Sequence, residues 1–184
     1  KADKGVLKAG TQAFNIVFDA IPEPSSNVWD KSMSMAVDSL LKMGLTTIVD
    51  MGGKTVTPDF YKVVERFVKK DELKIRFFYT LNAQNSTMTS SEEIKKQLHT
   101  HTPNFKDLQF AQFCFGETTY PPFRTRPFKA SEEDVKEFRK IIIAAIENNW
   151  QIHEHSLQEV KVKQMLDVLE EVVVDNPKMK DLRF

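Results

Sequence analysis

The sequence predicts an α/β fold in which parallel strands alternate with helices. Three observations lead there. Short β-branched runs stop at turn residues, an amphipathic segment with helical periodicity follows most of them, and successive units recur at a spacing of roughly 30 to 40 residues. That spacing accommodates a strand, a crossover helix and the return to a neighbouring strand, so the strands are expected to be parallel and the crossovers right-handed. Two architectures satisfy the pattern, a (β/α)8 barrel and an open doubly wound sheet.

The elements follow in order. Lys1 to Pro24 has no readable periodicity, and residues 1–28 are taken as an irregular N-terminal segment. Trp29 to Met43 places Met33, Ala36, Val37, Leu40, Leu41 and Met43 near helical spacing, with Gly44 as the stop. Leu45 to Met51 is short and β-branched and runs into Gly52-Gly53, the pattern of a buried strand ending in a loop. Thr57-Pro58 opens a helix as cap and first-turn proline, with Phe60, Val63, Val64, Phe67 and Val68 as its inward stripe. Lys74 to Leu81 is the next strand, Asn82 to Ser90 a polar loop, and Ser91 to His99 a helix. Leu108 to Phe115 reads as a strand that ends at Gly116-Glu117. Thr118 to Phe128, with three prolines, reads as irregular. Ser131 then caps a long helix to Asn149, with Glu132, Glu133 and Asp134 placed favourably in its first turn. Trp150 to His155 is a strand and Leu157 to Val174 a helix, with Val160, Val162, Met165, Leu166, Leu169 and Val172 as its apolar side. Asp181 to Phe184 starts a further strand.

A chain of 184 residues can bury a real core, and residues 1–184 are expected to form a single domain. Hydrophobic residues make up 41% and charged residues 28%, a composition that separates it from disordered and fibrous chains. Lys+Arg and Asp+Glu are both 26, so no basic excess argues for a nucleic-acid partner. The single cysteine, Cys114, rules out an internal disulfide and a Cys-rich zinc site, and fits a reducing, cytoplasmic setting. No apolar run approaches the roughly 20 residues of a membrane helix, so no membrane partner is expected. The chain starts at Lys1 and stops at Phe184 inside a strand-like run, which leads us to expect a piece of something longer.

Chemistry concentrates in Trp150-Gln-Ile-His-Glu-His155. Strand alternation puts Trp150, Ile152 and Glu154 on one face and Gln151, His153 and His155 on the other. Trp150 and Ile152 suit packing against helices. Two imidazoles then stand at the carboxyl end of a strand, where barrel enzymes place their chemistry and where a divalent ion finds natural ligands. The alternative is a pair of hydrogen-bonded or solvated histidines. Glu117, one glycine beyond another strand end, is a candidate metal ligand or general base, or else an exposed loop acid. Asp50 is similar, though a strand-terminal Asp often only caps the next turn. Cys114 lies between phenylalanines with no base nearby and reads as structural. His99 and His101 have metal-like spacing but fall at a helix end. Arg124 and Arg126 suit a substrate carboxylate or solvent. No glycine-rich phosphate loop follows any strand.

Gly44-Leu-Thr-Thr-Ile-Val-Asp50, Lys74-Ile-Arg76, Trp150-Gln-Ile-His-Glu-His155 and Leu166-Asp-Val-Leu-Glu170 together resemble the amidohydrolase superfamily, and within it the amidohydrolase-3 group of imidase-like and N-substituted formamide deformylase-like proteins. The resemblance implies a partial TIM-like (β/α)8 barrel, roughly strands two to six in sequential order. It matches His155 to the histidine that ends the fifth barrel strand and binds the second metal of a binuclear site. His153 falls one inward step deeper, where the family usually carries a small or apolar residue. The family's first-strand His-x-His pair would precede Lys1. Its sixth-strand histidine and eighth-strand aspartate would follow Phe184. Its bridging fourth-strand lysine has no counterpart in Phe110 to Phe115, which leaves Glu117 as a substitute bridge or the site mononuclear.

The resemblance therefore implies a fragment of a metal-dependent hydrolase of non-peptide carbon–nitrogen bonds in amides, imides or formamides, inactive alone. The expected metal ligands are His155, His153 and Glu117, with Glu117 also the catalytic candidate. The expected cofactor is a divalent ion, zinc before iron or manganese, and the substrate a small amide. A half barrel leaves strand edges bare, so the partner expected is a second copy or the remainder of the barrel. Two rivals stand beside this reading: an inactive binding domain, and a doubly wound protein with incidental histidines, which strand order distinguishes.

Overall fold

A computed structural model of the chain describes residues 2–3, 6–7, 17, 20–52, 58–81, 90–101, 103, 108–124 and 128–176. Two strands near the start, β1 (Ala2–Asp3) and β2 (Val6–Leu7), pair antiparallel. The main sheet comprises β3 (Thr47–Asp50), β4 (Arg76–Leu81), β5 (Phe110–Phe115) and β6 (Gln151–Ile152). All its pairings are parallel and its order is β3-β4-β5-β6. Sequential order is that of a segment of an α/β barrel, and among the described strands there is no reversal of the kind that marks the switch point of a doubly wound sheet. The predicted Asp181 to Phe184 strand, the Thr57 cap, Gly53 and most of the 82–90 loop lie outside the described residues.

The helices are α1 (Ser26–Lys42), α2 (Lys62–Lys69), α3 (Ser91–Thr100), the short α4 (Pro121–Arg124), α5 (Glu132–Glu147) and α6 (Glu159–Asp175). A 3-10 turn over Pro58–Tyr61 precedes α2, where the sequence predicts one continuous helix. The 118–128 stretch, read as irregular, contains α4. Ser90 and Glu93 form a reciprocal capping box at α3, as do Ser131 and Asp134 at α5.

Three helices end in the same way. After α1, the Gly44 N–H donates to Leu41 O and the Leu45 N–H to Leu40 O. After α2, Asp71 and Glu72 repeat this with Val68 and Phe67, and after α5, Asn149 and Trp150 repeat it with Ile146 and Ala145. In each case the first residue of the pair has positive φ, at 79°, 58° and 59°. These are Schellman turns, which satisfy orphan carbonyls at the helix end and hand the chain to the next strand within a few residues.

One face of the sheet packs against the helices. Leu81, Phe115, Trp150 and Ile152 join Ile94 and Leu98 of α3, Phe138, Ile141 and Ile142 of α5, and Val168 and Val172 of α6. The Trp150 indole N–H donates to Leu98 O at 3.0 Å, so the large ring is buried with its polar atom satisfied. A second cluster gathers Val37, Tyr61, Val64, Phe67, Ile75 and Phe77. The buried face of α6 is Lys161, Val168, Leu169 and Val172. Val162 and Leu166, expected inside, are 40% and 59% exposed, because the helix is rotated to carry the Lys161 side inward. The register between β4 and β5 slips after Tyr79, so that Phe113 is the extra residue of a bulge two residues before the strand ends.

Candidate functional site

The carboxyl ends of β5 and β6 carry the candidate residues. Beyond its two paired residues, β6 keeps hydrogen bonding: His153 N–H donates to Phe115 O at 2.9 Å and His155 N–H to Glu117 O at 2.8 Å. The strand direction thus persists to His155, as the alternation argument requires. The two chains run close because residue 116 is glycine. Gly116 has φ 141°, and a Cβ there would stand 1.9 Å from the His153 carbonyl oxygen. Any side chain would force the strands apart at the point where Glu117 turns toward His155. The Gly116–Glu117 peptide is cis.

Glu117 and His155 meet: Glu117 Oε1 lies 2.7 Å from His155 Nδ1. With a carboxylate as the acceptor, Nδ1 carries the proton and the free lone pair is on Nε2. Arg124, at the end of α4, approaches the same Glu117 oxygen at 3.9 Å and donates to Thr118 Oγ1 at 3.1 Å. Glu117 is therefore the acid between an imidazole and a guanidinium, rather than a solvated loop residue. His153 lies alongside, with its Nδ1 buried and without a hydrogen-bond partner among the described residues. Burial lowers its pKa; the Glu117 charge opposes that and His155 adds to it, so the ring is held neutral with its lone pair available.

The strand alternation did not identify Glu154 as a site residue. Its Oε2 accepts the backbone N–H groups of Thr119 at 2.9 Å and Tyr120 at 2.7 Å, while its Oε1 is buried without a hydrogen-bond partner among the described residues. Burial pushes its pKa up to about 8, against the backbone N–H groups, Arg124 and Lys161, which pull it down. Lys161, fully buried, donates from Nζ to Pro122 O at 2.9 Å, and burial lowers its pKa. The available signal was a glutamate on the same face as Trp150 and Ile152, an acid pointed at a core.

The other candidates separate from this cluster. Asp50 Oδ1 accepts the Gly52 N–H at 2.9 Å, the turn-capping arrangement. Cys114 is buried, and burial pushes its thiol up to about 12, which suits an inert core residue. His99 Nδ1 contacts Asn148 and His101 Nδ1 contacts Gln97 O and Thr100, both exposed at the end of α3. Arg126 lies outside the described residues. Among the described residues, no three His, Cys, Asp or Glu side chains converge as a metal-binding group. A catalytic zinc site normally takes about three protein ligands. The orphaned His153 Nδ1 and the free His155 Nε2 fit part of such a set and do not complete one.

A parallel, sequentially ordered sheet with its polar side chains gathered at the strand carboxyl ends defines a partial α/β barrel. Two solved structures share this fold. An uncharacterized metal-dependent hydrolase from Pyrococcus horikoshii OT3 matches 88% of this chain at 12% identity and a TM-score of 0.53. An uncharacterized metal-dependent hydrolase from Pyrococcus furiosus matches 87% at 15% identity and a TM-score of 0.53. The chain spans about a third of their length, 33% and 34%. No protein-family model and no curated protein matches the sequence. Among the described residues no helix is long and apolar enough to cross a membrane.

Proposed function

We propose that the chain is one segment of a cytoplasmic, metal-dependent hydrolase barrel of the amidohydrolase-3 type, acting on non-peptide carbon–nitrogen bonds in amides, imides or formamides. The observation that carries this reading is the His155–Glu117 pair at the carboxyl ends of adjacent parallel strands, 2.7 Å apart. The names of the two structural neighbours agree with its coarser part, a metal-dependent hydrolase, and say nothing of the bond cleaved. In this reading His155 would hold the ion, leaving Nδ1 to Glu117, which fixes the tautomer and orientation of that ring. His153 adds a second donor, and the missing ligands come from the remainder of the barrel or a second copy. Zinc is the proposed ion, with iron and manganese as alternatives. When bound, a divalent ion supplies Lewis acidity to a substrate carbonyl and to water. Arg124, beside Glu117, would hold part of the substrate or balance the carboxylate's charge.

The test is hydrolysis of a panel of amides, imides and formamides by the zinc-loaded chain, alone and within any longer natural product. Turnover that disappears in His155→Ala supports the reading. Zinc binding without turnover in either form removes the hydrolase assignment. A second reading, an inactive binding domain, is favoured by one observation: Glu117 already serves both His155 and Arg124, the arrangement of a structural ion-pair network.

A further inference from the structure

We infer that Glu154 is a positioning residue that sets where Glu117 stands against His155, by clamping the loop after β5 onto the end of β6. The inference deepens the metal reading above and rests on it for its functional consequence, while the geometry stands apart from it.

Residues 116 to 120 leave β5 and must return the Glu117 carboxylate to the neighbouring strand. Three groups of contacts hold them there. Gly116 lies against the His153 carbonyl, and the Glu117 carbonyl accepts the His155 N–H at 2.8 Å. Thr119 Oγ1 donates to the carbonyls of Phe115 and His153, each at 3.0 Å. Glu154 Oε2 then accepts two successive loop N–H groups, Thr119 and Tyr120. Thr119 and Tyr120 are both buried, so those N–H groups have little recourse to water and depend on the Glu154 carboxyl group. Oε2 is the acceptor in both bonds and Oε1 takes part in neither, so the clamp holds whether the acid is ionised or carries its proton on Oε1.

Glu154 sits between His153 and His155 in sequence, on the opposite face of the strand. The same short stretch beyond β6 therefore carries both the clamp and the imidazole, and the His153 and His155 N–H groups tie it to Phe115 O and Glu117 O. Placement of a ligand's carboxylate partner is the kind of support whose loss typically costs tenfold or more in metal affinity. Lys161 donates to Pro122 O in α4, the short helix that follows this loop.

The experiment compares wild type, Glu154→Ala, Glu154→Gln and a core control, Val172→Ala. The control removes buried volume from α6, and its side chain takes part in none of the hydrogen bonds named above. Amide exchange and imidazole resonances are read by NMR, and zinc chloride binding by calorimetry. In Glu154→Ala, the Thr119 and Tyr120 amides should exchange at least about tenfold faster, the His155 ring resonances should shift, and zinc should bind at least about tenfold more weakly. Glu154→Gln keeps one accepting oxygen and should restore most of each effect, and Val172→Ala should show none. Unchanged His155 resonances in Glu154→Ala, or the same changes in Val172→Ala, would overturn the inference. If wild type binds no zinc, the metal reading fails, and the His155 resonances alone decide whether Glu154 positions Glu117.

Discussion

His155 Nδ1 and Glu117 Oε1 stand 2.7 Å apart, joining the ends of two strands that are neighbours in the sheet and distant in sequence. The contact leaves His155 with one committed nitrogen and one free nitrogen. Glu117→Gln should keep the fold, since the amide oxygen still accepts from Nδ1, but remove the charge that makes the ring a stronger donor. Zinc affinity is expected to fall by about 10- to 100-fold, measured by calorimetry at constant ionic strength.

Gly116→Ala places a methyl group where the His153 carbonyl already is. The φ of 141° is also one that an L-residue rarely adopts. The variant should either unfold or part β5 from β6. Its urea midpoint should drop clearly below wild type, with the His153 and His155 amides losing exchange protection. A wild-type midpoint would show that the strands are not in close contact there.

Stability in the absence of metal should fall as pH rises through the range set by Glu154. Its usual value is 4.5 and its folded value is about 8, so the folded state retains a proton that the unfolded chain releases. The contribution is present in full below about 4.5 and is lost progressively up to about pH 8, at no more than about 1.4 kcal/mol per pH unit. His153 acts in the opposite sense, because its folded value is lowered: its contribution is present above its usual value of 6.5 and lost as pH falls. Urea denaturation at several pH values should show Glu154→Gln losing the alkaline-side decline while retaining the acidic-side one.

In the described sheet β3 and β6 each have one unpaired edge, and Leu157, Leu166 and Val174 lie exposed on or beside α6. Such edges and apolar surface favour pairing with another chain. Sedimentation velocity should find a dimer or larger species for the isolated chain. A stable, compact monomer over a wide concentration range would contradict this.

Local determinants were legible in the sequence. The Ser131 cap depends on residues three apart, and the strand–helix repeat depends on periodicities of about 2 and 3.6. The pairing of His153 and His155 with one face, and of Trp150 and Ile152 with the helices, follows from alternation alone. What was not legible depends on tertiary partners. Lys161 is buried because Pro122 O meets its Nζ, while the apolar Leu166, five residues further on, is left outside. Glu154 is tolerated on a core face because two loop N–H groups reach it. Neither partner is near in sequence, so no window of residues could announce the contact. The identification of Glu117 needed only a strand end, whereas its contact with His155 required knowing that β5 and β6 are adjacent.

The most direct test of the account is metal content, by elemental analysis, of the purified chain beside His155→Ala. The wild type should hold zinc, iron or manganese, approaching one ion per chain or per assembled site, and His155→Ala should lose it. No metal in either protein, or equal metal in both, would contradict a metal centre built on His155.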